Sequence, residues 1–206
     1  VISASVRRDG TDKFFPSKKY GVFPSVSVAW KITGEQWMKN VKWVNLLKLR
    51  VSYGQTGRDN LGTSLYGVYT LGKIVSFDQG QTKYHPYVLS GEDYDDVSWE
   101  TTEMKNIALD FSVLNDRVWG SVDFYRNDET NQLLYENASW KDMFTSRPVN
   151  DGHYKRQGIE ISVNTRNIVT KNFTWTTTLN WSKNATTWVK RVANYDYAVY
   201  QLDADG

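Results

Sequence analysis

The sequence predicts an all-β fold, an antiparallel up-and-down meander of about seven strands. Three observations carry this. Apolar and polar residues alternate with period two along most of the chain, the mark of strands with one apolar and one polar face. The predicted strands are separated by polar, turn-rich stretches. No apolar run approaches the length of a membrane-spanning helix, and no segment has convincing helical periodicity beyond a turn near Glu35–Asn40.

The strands are read in order. The first covers roughly 1–7, where Val1-Ile2-Ser3-Ala4-Ser5-Val6 already alternates. The second, roughly 20–32, puts Val22, Pro24, Val26, Val28, Trp30 and Ile32 on one face. The third, roughly 45–54, sets Leu47, Leu49, Val51 and Tyr53 against Lys48, Arg50 and Ser52. The fourth, roughly 98–113, opposes Ile107, Leu109, Phe111 and Val113 to Ala108, Asp110 and Ser112. It turns at once through Asn115-Asp116, a tight hairpin pair. The fifth, roughly 117–127, alternates less cleanly around Val122 and Phe124. The sixth, roughly 153–165, carries Ile159, Ile161 and Val163; the seventh, roughly 172–183, carries Phe173, Trp175, Leu179 and Trp181. Val1 sits within a strand pattern and Asp203 to Gly206 reads as loop, so the sequence is expected to be an internal piece of a longer chain.

Successive connections fall on opposite ends of such a meander. Residues 8–19, 55–96 and 128–152 would share one end, and 33–44, 115–116 and 167–171 the other, with the long loops on one side. A soluble sandwich brings its apolar faces together and has no reason to sort loops by length. An outer-membrane barrel turns its apolar faces to lipid, its polar faces to a wet lumen, and its short turns inward to the cell. Both readings fit the period-two pattern.

Aromatic content bears on the choice. The 206 residues include 9 Trp, 13 Tyr and 8 Phe, in a chain of low mean hydropathy. Trp30, Trp43, Phe173 and Trp175 fall near the short-turn ends of their strands, with Tyr53 and Trp181 near the opposite ends. Rings at both edges of an apolar band form the girdle expected at a lipid interface; in a soluble sheet they would be cross-strand or core aromatics. A second group lies in the long loops. Tyr84, Tyr87, Tyr135 and Trp140 are expected to contact substrate or partner, because flat rings cover apolar faces while nearby Asn, Asp and Gln bond polar groups. The alternative is that these rings pack the loops together.

Composition excludes several functions. There is no cysteine, hence no disulfide, thiol nucleophile or iron–sulfur site. With 25 basic and 23 acidic side chains the net charge is +2, too little to recruit nucleic acid. Two histidines, His85 and His153, stand without a zinc signature, and no nucleophile elbow or phosphate-binding glycine loop occurs. The acidic cluster Glu92, Asp93, Asp95, Asp96 lacks the ligand spacing of a calcium loop and reads as a solvated face. No catalytic residue, metal site or cofactor is expected, and the protein is not expected to be an enzyme.

Several segments resemble the SusC/RagA family of TonB-dependent outer-membrane transporters. They are Tyr20-Gly-Val-Phe-Pro-Ser-Val-Ser-Val-Ala-Trp30, Leu49-Arg-Val-Ser-Tyr-Gly-Gln-Thr-Gly57 with Asp59-Asn60, Ser98-Trp-Glu-Thr-Thr102, Asn106-Ile-Ala-Leu-Asp-Phe111, Gly120-Ser-Val-Asp-Phe-Tyr-Arg126, Gly158-Ile-Glu-Ile-Ser162 and Asn172-Phe-Thr-Trp-Thr-Thr177. Arg58, Asp95-Asp96-Val97 and Lys155-Arg156-Gln157 depart from the family pattern, two of the three at strand entries near loops, where specificity would be set. The resemblance implies that residues 1–206 are part of a TonB-dependent receptor β-barrel of about 22 strands, in the outer membrane of a Gram-negative bacterium. It implies outer-membrane lipid around the wall, a SusD-like surface lipoprotein at the rim and a TonB complex acting through parts not in this chain. The cargo would be nutrient oligomers, oligosaccharide or peptide fragments, and not nucleic acid. The competing expectation is a soluble, Trp-rich β-sandwich that binds carbohydrate and buries Val28, Leu49, Leu109 and Ile161 together.

Overall fold

Period-two alternation becomes one broad sheet. The computed structural model describes residues 1–61, 65–67, 69–75, 83–89, 93–137 and 146–191; Trp140 lies outside them. The strands are β1 (Ile2–Gly10), β2 (Tyr20–Lys31), β3 (Val44–Arg58), β4 (Tyr69–Leu71), β5 (Tyr87–Leu89), β6 (Glu100–Val113), β7 (Val118–Thr130), β8 (Leu133–Asn137), β9 (Ser146–Asn150), β10 (His153–Val169) and β11 (Thr174–Lys190). Seven of them form a single antiparallel sheet in the order β1-β2-β3-β6-β7-β10-β11. Sequence neighbours in this set are sheet neighbours, as an up-and-down meander requires. The sheet does not close on itself among the described residues; β1 and β11 are its edges.

The register puts the apolar positions of every strand on one face. Val28 pairs with Val51, Val51 with Ile107, Ile107 with Phe124 and Phe124 with Ile159. Among the described residues no second layer covers this row: Val28 is 43% exposed, Ile107 and Phe124 54%, and Leu179 farther along β11 65%. The sandwich expectation therefore fails. Its four marker residues, Val28, Leu49, Leu109 and Ile161, lie side by side on one surface and do not meet in a core.

Four of the seven strands run past the expected end on the side of the long connections. β1 extends to Gly10, β3 to Arg58, β7 to Thr130 and β11 to Lys190, and β6 and β10 start beyond the apolar stripe. The reason is physical. Apolar alternation marks the band that avoids water, whereas the hydrogen-bonded ladder continues through polar pairs such as Gln55↔Glu103, Thr56↔Thr102 and Gly57↔Thr101. A tilted strand needs only about 9–11 residues to cross a bilayer. β11 is 17 residues long. Trp181 consequently lies in the middle of β11, not at its far end as expected.

Connections behave mostly as predicted. β6 and β7 join through residues 114–117, with Leu114, Asn115 and Asp116 at φ 56°, 55° and 58°. The left-handed region suits Asn and Asp, whose short polar side chains tolerate it, and Ser112 Oγ bonds Asp116 Oδ1 at 2.5 Å. β10 and β11 join through 170–173, where Thr170 Oγ1 is bonded to both the carbonyl and amide of Phe173. One expectation needs correcting: the β2–β3 link, 32–43, is longer than the β1–β2 loop, 11–19, because it holds two 3-10 turns, Ile32–Gly34 and Gln36–Met38. The sorting of loops by length rests on 59–99 and 131–152 against 114–117 and 170–173. The two long connections are not featureless. One carries the β4/β5 hairpin and the Val75–Tyr84 bridge, the other the β8/β9 hairpin.

One glycine is required by the sheet itself. A Cβ at Gly120 of β7 would lie 1.9 Å from the Ser162 carbonyl oxygen of β10, a backbone atom that cannot swing away. Gly120→Ala is therefore expected to push β7 and β10 apart and cost about 1–3 kcal/mol, the range for overpacking. The check is the thermal midpoint of the full-length protein. Gly54→Ala, whose Cβ would make an ordinary 3.4 Å contact with the Ser25 Cβ, should leave the midpoint unchanged.

Candidate functional site: inner wall and rim

The face opposite the apolar one is lined by charge and small polar groups. Lys48 and Arg50 of β3, Asp110 of β6 and Asp123 of β7 all point to it by alternation. Arg50 grips Asp110 through Nε and Nη2 at 2.8 and 2.7 Å and reaches Asp123 Oδ1 at 3.3 Å; Lys48 Nζ lies 3.8 Å from Asp110. A two-pronged guanidinium–carboxylate pair fixes both partners in one geometry. Asp123 is itself opposite Glu160 of β10. Removing Arg50 would leave three carboxylates close together. Beside this network Ser3, Ser5, Ser25, Ser27 and Ser52 are too small to fill the surface, and leave a recess of about 460 Å³. Ser5 and Ser25 share a 2.7 Å hydroxyl–hydroxyl bond across β1 and β2.

Above this wall, on the side of the long connections, the chain builds its buried core. Phe14 from the β1–β2 loop, Leu61, Leu65 and Val97 from the β3–β6 connection, and Leu133 at the start of β8 pack together. Phe15, Tyr94 and Trp99 border them. The Trp99 ring meets Phe14 edge-on at 5.5 Å and Phe23 at 5.7 Å, and its Nε1 donates to the Lys18 carbonyl at 3.1 Å. Phe23 is buried on the inner face of β2, where a Cβ on Gly57 would strike its ring at 2.0 Å. Polar ties reinforce the assembly. Thr11 Oγ1 donates to Asp59 Oδ2 at 2.7 Å and Lys13 Nζ donates to the Asp59 carbonyl at 3.0 Å. The Thr11 hydroxyl, with help from Lys13, holds the Asp59 carboxyl below the usual carboxylate range. Asn150 Nδ2 donates to the carbonyls of Ser98 and Asn131 at 2.9 and 2.8 Å, stitching the second long connection to the first.

This cluster was missed as a site by sequence reasoning, although its signals were present. Tyr20-Gly-Val-Phe, Gly57-Arg58 and Ser98-Trp-Glu come together here: Gly57 makes room for Phe23, Phe23 supports Trp99, and Arg58 Nη1 lies 3.7 Å from Glu100 Oε1. Two of the departures from the family pattern, Arg58 and Val97, sit in or beside it, Val97 fully buried.

Of the expected contact residues, Trp140 lies outside the described residues and the other three are exposed: Tyr87 of β5 is 73% exposed, Tyr84 is exposed beside its bridge to Val75, and Tyr135 of β8 is exposed as well. The structure does not bring them into one pocket with the inner wall. Of the expected girdle residues, Trp30 is exposed at the short-turn end of β2 and its Nε1 donates to Glu35 Oε1 at 2.9 Å. Trp43, Phe173 and Trp175 are exposed at the same end. Tyr53 lies on the apolar face of β3, its hydroxyl donating to Glu103 Oε1 at 3.3 Å and accepting from Gln55 Nε2 at 2.7 Å. Trp37 in the second 3-10 turn is equally exposed and was not anticipated. Among the described residues no group of three or more His, Asp or Glu could hold a metal.

A one-layer antiparallel sheet, apolar on one face, ionic on the other and sealed at one end by folded loops, defines the wall of a β-barrel. The chain belongs to the TonB-dependent receptor-like β-barrel family, whose pattern it matches over residues 1–205. It is 34% identical over 186 residues to TonB-dependent receptor P39 of Formosa agariphila, covering 89% of this chain and 17% of that protein. It is 32% identical to TonB-dependent receptor SusC of Bacteroides thetaiotaomicron, covering 97% of this chain and 20% of that one. The chain thus spans about a fifth of the curated relatives it matches. Among solved structures, the RagAB peptide importer in the closed-closed state superposes with TM-score 0.80 at 23% identity, over 95% of this chain and 21% of that one. The open-open state gives 0.81 at 24%, over 92% and 20%. Receptors of this family are not enzymes.

Proposed function

We propose that this chain supplies part of the wall and rim of an outer-membrane active importer of nutrient oligomers. The observation that carries the reading is the two-sided sheet. Its exposed apolar row suits lipid, and its Arg50–Asp110–Asp123 network suits a wet lumen, where charges cost little. The exposed aromatic band at the short-turn end, Trp30, Trp43, Phe173 and Trp175, fits the inner lipid interface, with Tyr53 nearer the outer one and Trp181 between the two on β11. Family membership supports placement in the outer membrane of a Gram-negative bacterium. Energy would come from a TonB complex engaging parts of the protein beyond this chain. The folded rim offers a rigid platform for a SusD-like surface lipoprotein. Glycan or peptide fragments would be the cargo, met at the rim by Tyr84, Tyr87, Tyr135 and Trp140. Kinship with SusC and likeness to a peptide importer support import and leave both cargo classes in view.

The test is uptake of labelled oligosaccharides and oligopeptides by cells carrying the full-length protein. Uptake of one class should stop when TonB is removed, and Tyr87→Ala should lower it at limiting substrate while the amount of folded protein in the outer membrane stays the same. TonB-independent uptake, or no uptake of either class, overturns the import reading. Unchanged uptake by the Tyr87→Ala variant removes Tyr87 from the contact set.

A further inference from the structure

The lipid-facing side of the sheet ends, toward the rim, in a row of cations. By register Lys105 of β6 is opposite Arg126 of β7, and Arg126 is opposite Gln157 of β10. Lys183 of β11 lies opposite Ile159, in register with the row of Ile107 and Phe124. By alternation all three cations emerge on the same face as Ile107, Phe124 and Ile159, and together these six residues line part of one shallow cavity of about 500 Å³. Lys155 follows one row higher on the same face, opposite Asp128.

The charges here do not cancel. Lys105 Nζ lies 3.1 Å from Glu103 and 3.8 Å from Asp128, and Arg126 is bonded to Asp128 at 2.9 and 3.1 Å. Glu103 and Asp128 are thus shared between Lys105 and Arg126, with Lys155 opposite Asp128 in register. No carboxylate among the described residues comes within 4 Å of Lys183. A face meant to meet hydrocarbon has no use for spare positive charge at its edge, where each cation would have to leave water or find an anion.

We propose that this cavity binds the phosphate-bearing headgroup of an anionic lipid in the outer leaflet. The guanidinium of Arg126 and the ammonium groups of Lys105 and Lys183 would hold the phosphate, and an acyl chain would lie on Ile107, Phe124 and Ile159. A guanidinium fork suits phosphate oxygens, and the apolar floor distinguishes a lipid from a free anion. The proposal rests on the apolar face meeting lipid, as argued above.

The experiment takes the full-length protein, purified in detergent and reconstituted in phosphatidylcholine vesicles with or without phosphatidylglycerol. Insertion into the neutral vesicles tests the lipid-facing reading by itself. The thermal midpoint should be higher in the anionic vesicles, and inorganic phosphate added to the neutral ones should not reproduce the rise. Lipid retained after detergent exchange, counted by native mass spectrometry, should fall about five-fold for Lys183→Gln, since each cation near an anionic surface contributes about that factor. Among the described residues Lys183 has no ion-pair partner to lose, so this variant is expected to fold normally, as the amount inserted in neutral vesicles checks. The triple variant Lys105→Gln, Arg126→Gln, Lys183→Gln should lose about a hundred-fold. Equal retention by wild type and Lys183→Gln, or a midpoint rise produced equally by inorganic phosphate, overturns the lipid site. Failure to insert in neutral vesicles overturns the underlying orientation instead.

Discussion

Phe14→Ala is expected to unfasten the rim while leaving the barrel wall intact. The Phe14 side chain is 1% exposed and meets all three long-side connections: its own loop, Leu61, Leu65 and Val97 of the next, and Leu133 of the third. Truncating a fully buried Phe costs about 3–5 kcal/mol, from lost transfer energy and the cavity left behind. Here the loss is local. The inner-wall strands are held by their own ladder and by Arg50–Asp110, which do not touch Phe14. Hydrogen exchange on the full-length protein reads the difference. Amides in 11–19, 59–61 and 93–99 should lose protection, while those in 107–113 and 120–126 keep theirs. Uniform loss across both sets would mean that rim and wall form one cooperative unit. Loss confined to 11–19 would mean that Phe14 does not tie the connections together. Because Tyr87 and Tyr135 sit on the β4/β5 and β8/β9 hairpins carried by these connections, uptake should fall along with rim protection if the importer reading holds.

Leu179→Arg is expected to destabilise the assembled barrel in membranes by about 2–4 kcal/mol, the cost of a cation on the lipid face near the bilayer midplane. Leu179 is 65% exposed on β11, between Trp175 and Trp181 and away from both rim and turn. Its neighbour Asn180 points to the opposite face, so Asn180→Arg is the matched control and should cost little. The readout is unfolding of the full-length protein from lipid vesicles. A large effect for Leu179→Arg with a small one for Asn180→Arg fixes the orientation of the wall. The reverse pattern would turn the sheet inside out, and equal effects would remove the lipid interface altogether. The pair needs no knowledge of cargo or partner, and so separates the membrane reading from the import reading.

The motif segments show how far local pattern reaches. Gly57 and Phe23 are separated by more than thirty residues, and nothing in their spacing says that the one makes room for the other. Their meeting depends on β2 and β3 pairing in a particular register, which places Ser25 opposite Gly54 and carries Gly57 alongside Phe23. Trp99 similarly sits beside Glu100 in one motif segment, but its edge-on contacts with Phe14 and Phe23 require two connections and β2 to converge. Trp181 errs in the other direction. Hydrophobicity ends soon after it, so the strand seemed to end there; the ladder continues to Lys190 because backbone hydrogen bonds do not depend on side-chain polarity.

What the amino-acid sequence determined by itself was the set of properties written into nearest neighbours. Period-two alternation decided that the chain is all-β and which residues share a face. Asn115-Asp116 decided the tightest turn, and the absence of cysteine and catalytic signatures narrowed the functions. Tertiary structure decided what the faces meet. Whether Val28, Leu49, Leu109 and Ile161 form a core or an open surface depends on whether a second sheet covers them, and alternation is identical in both cases. The structure leaves them on one uncovered face and puts its buried core into the loops. Long connections must satisfy their own backbone and side chains away from the sheet, and only the fold brings Phe14, Leu65 and Leu133 close enough to do so.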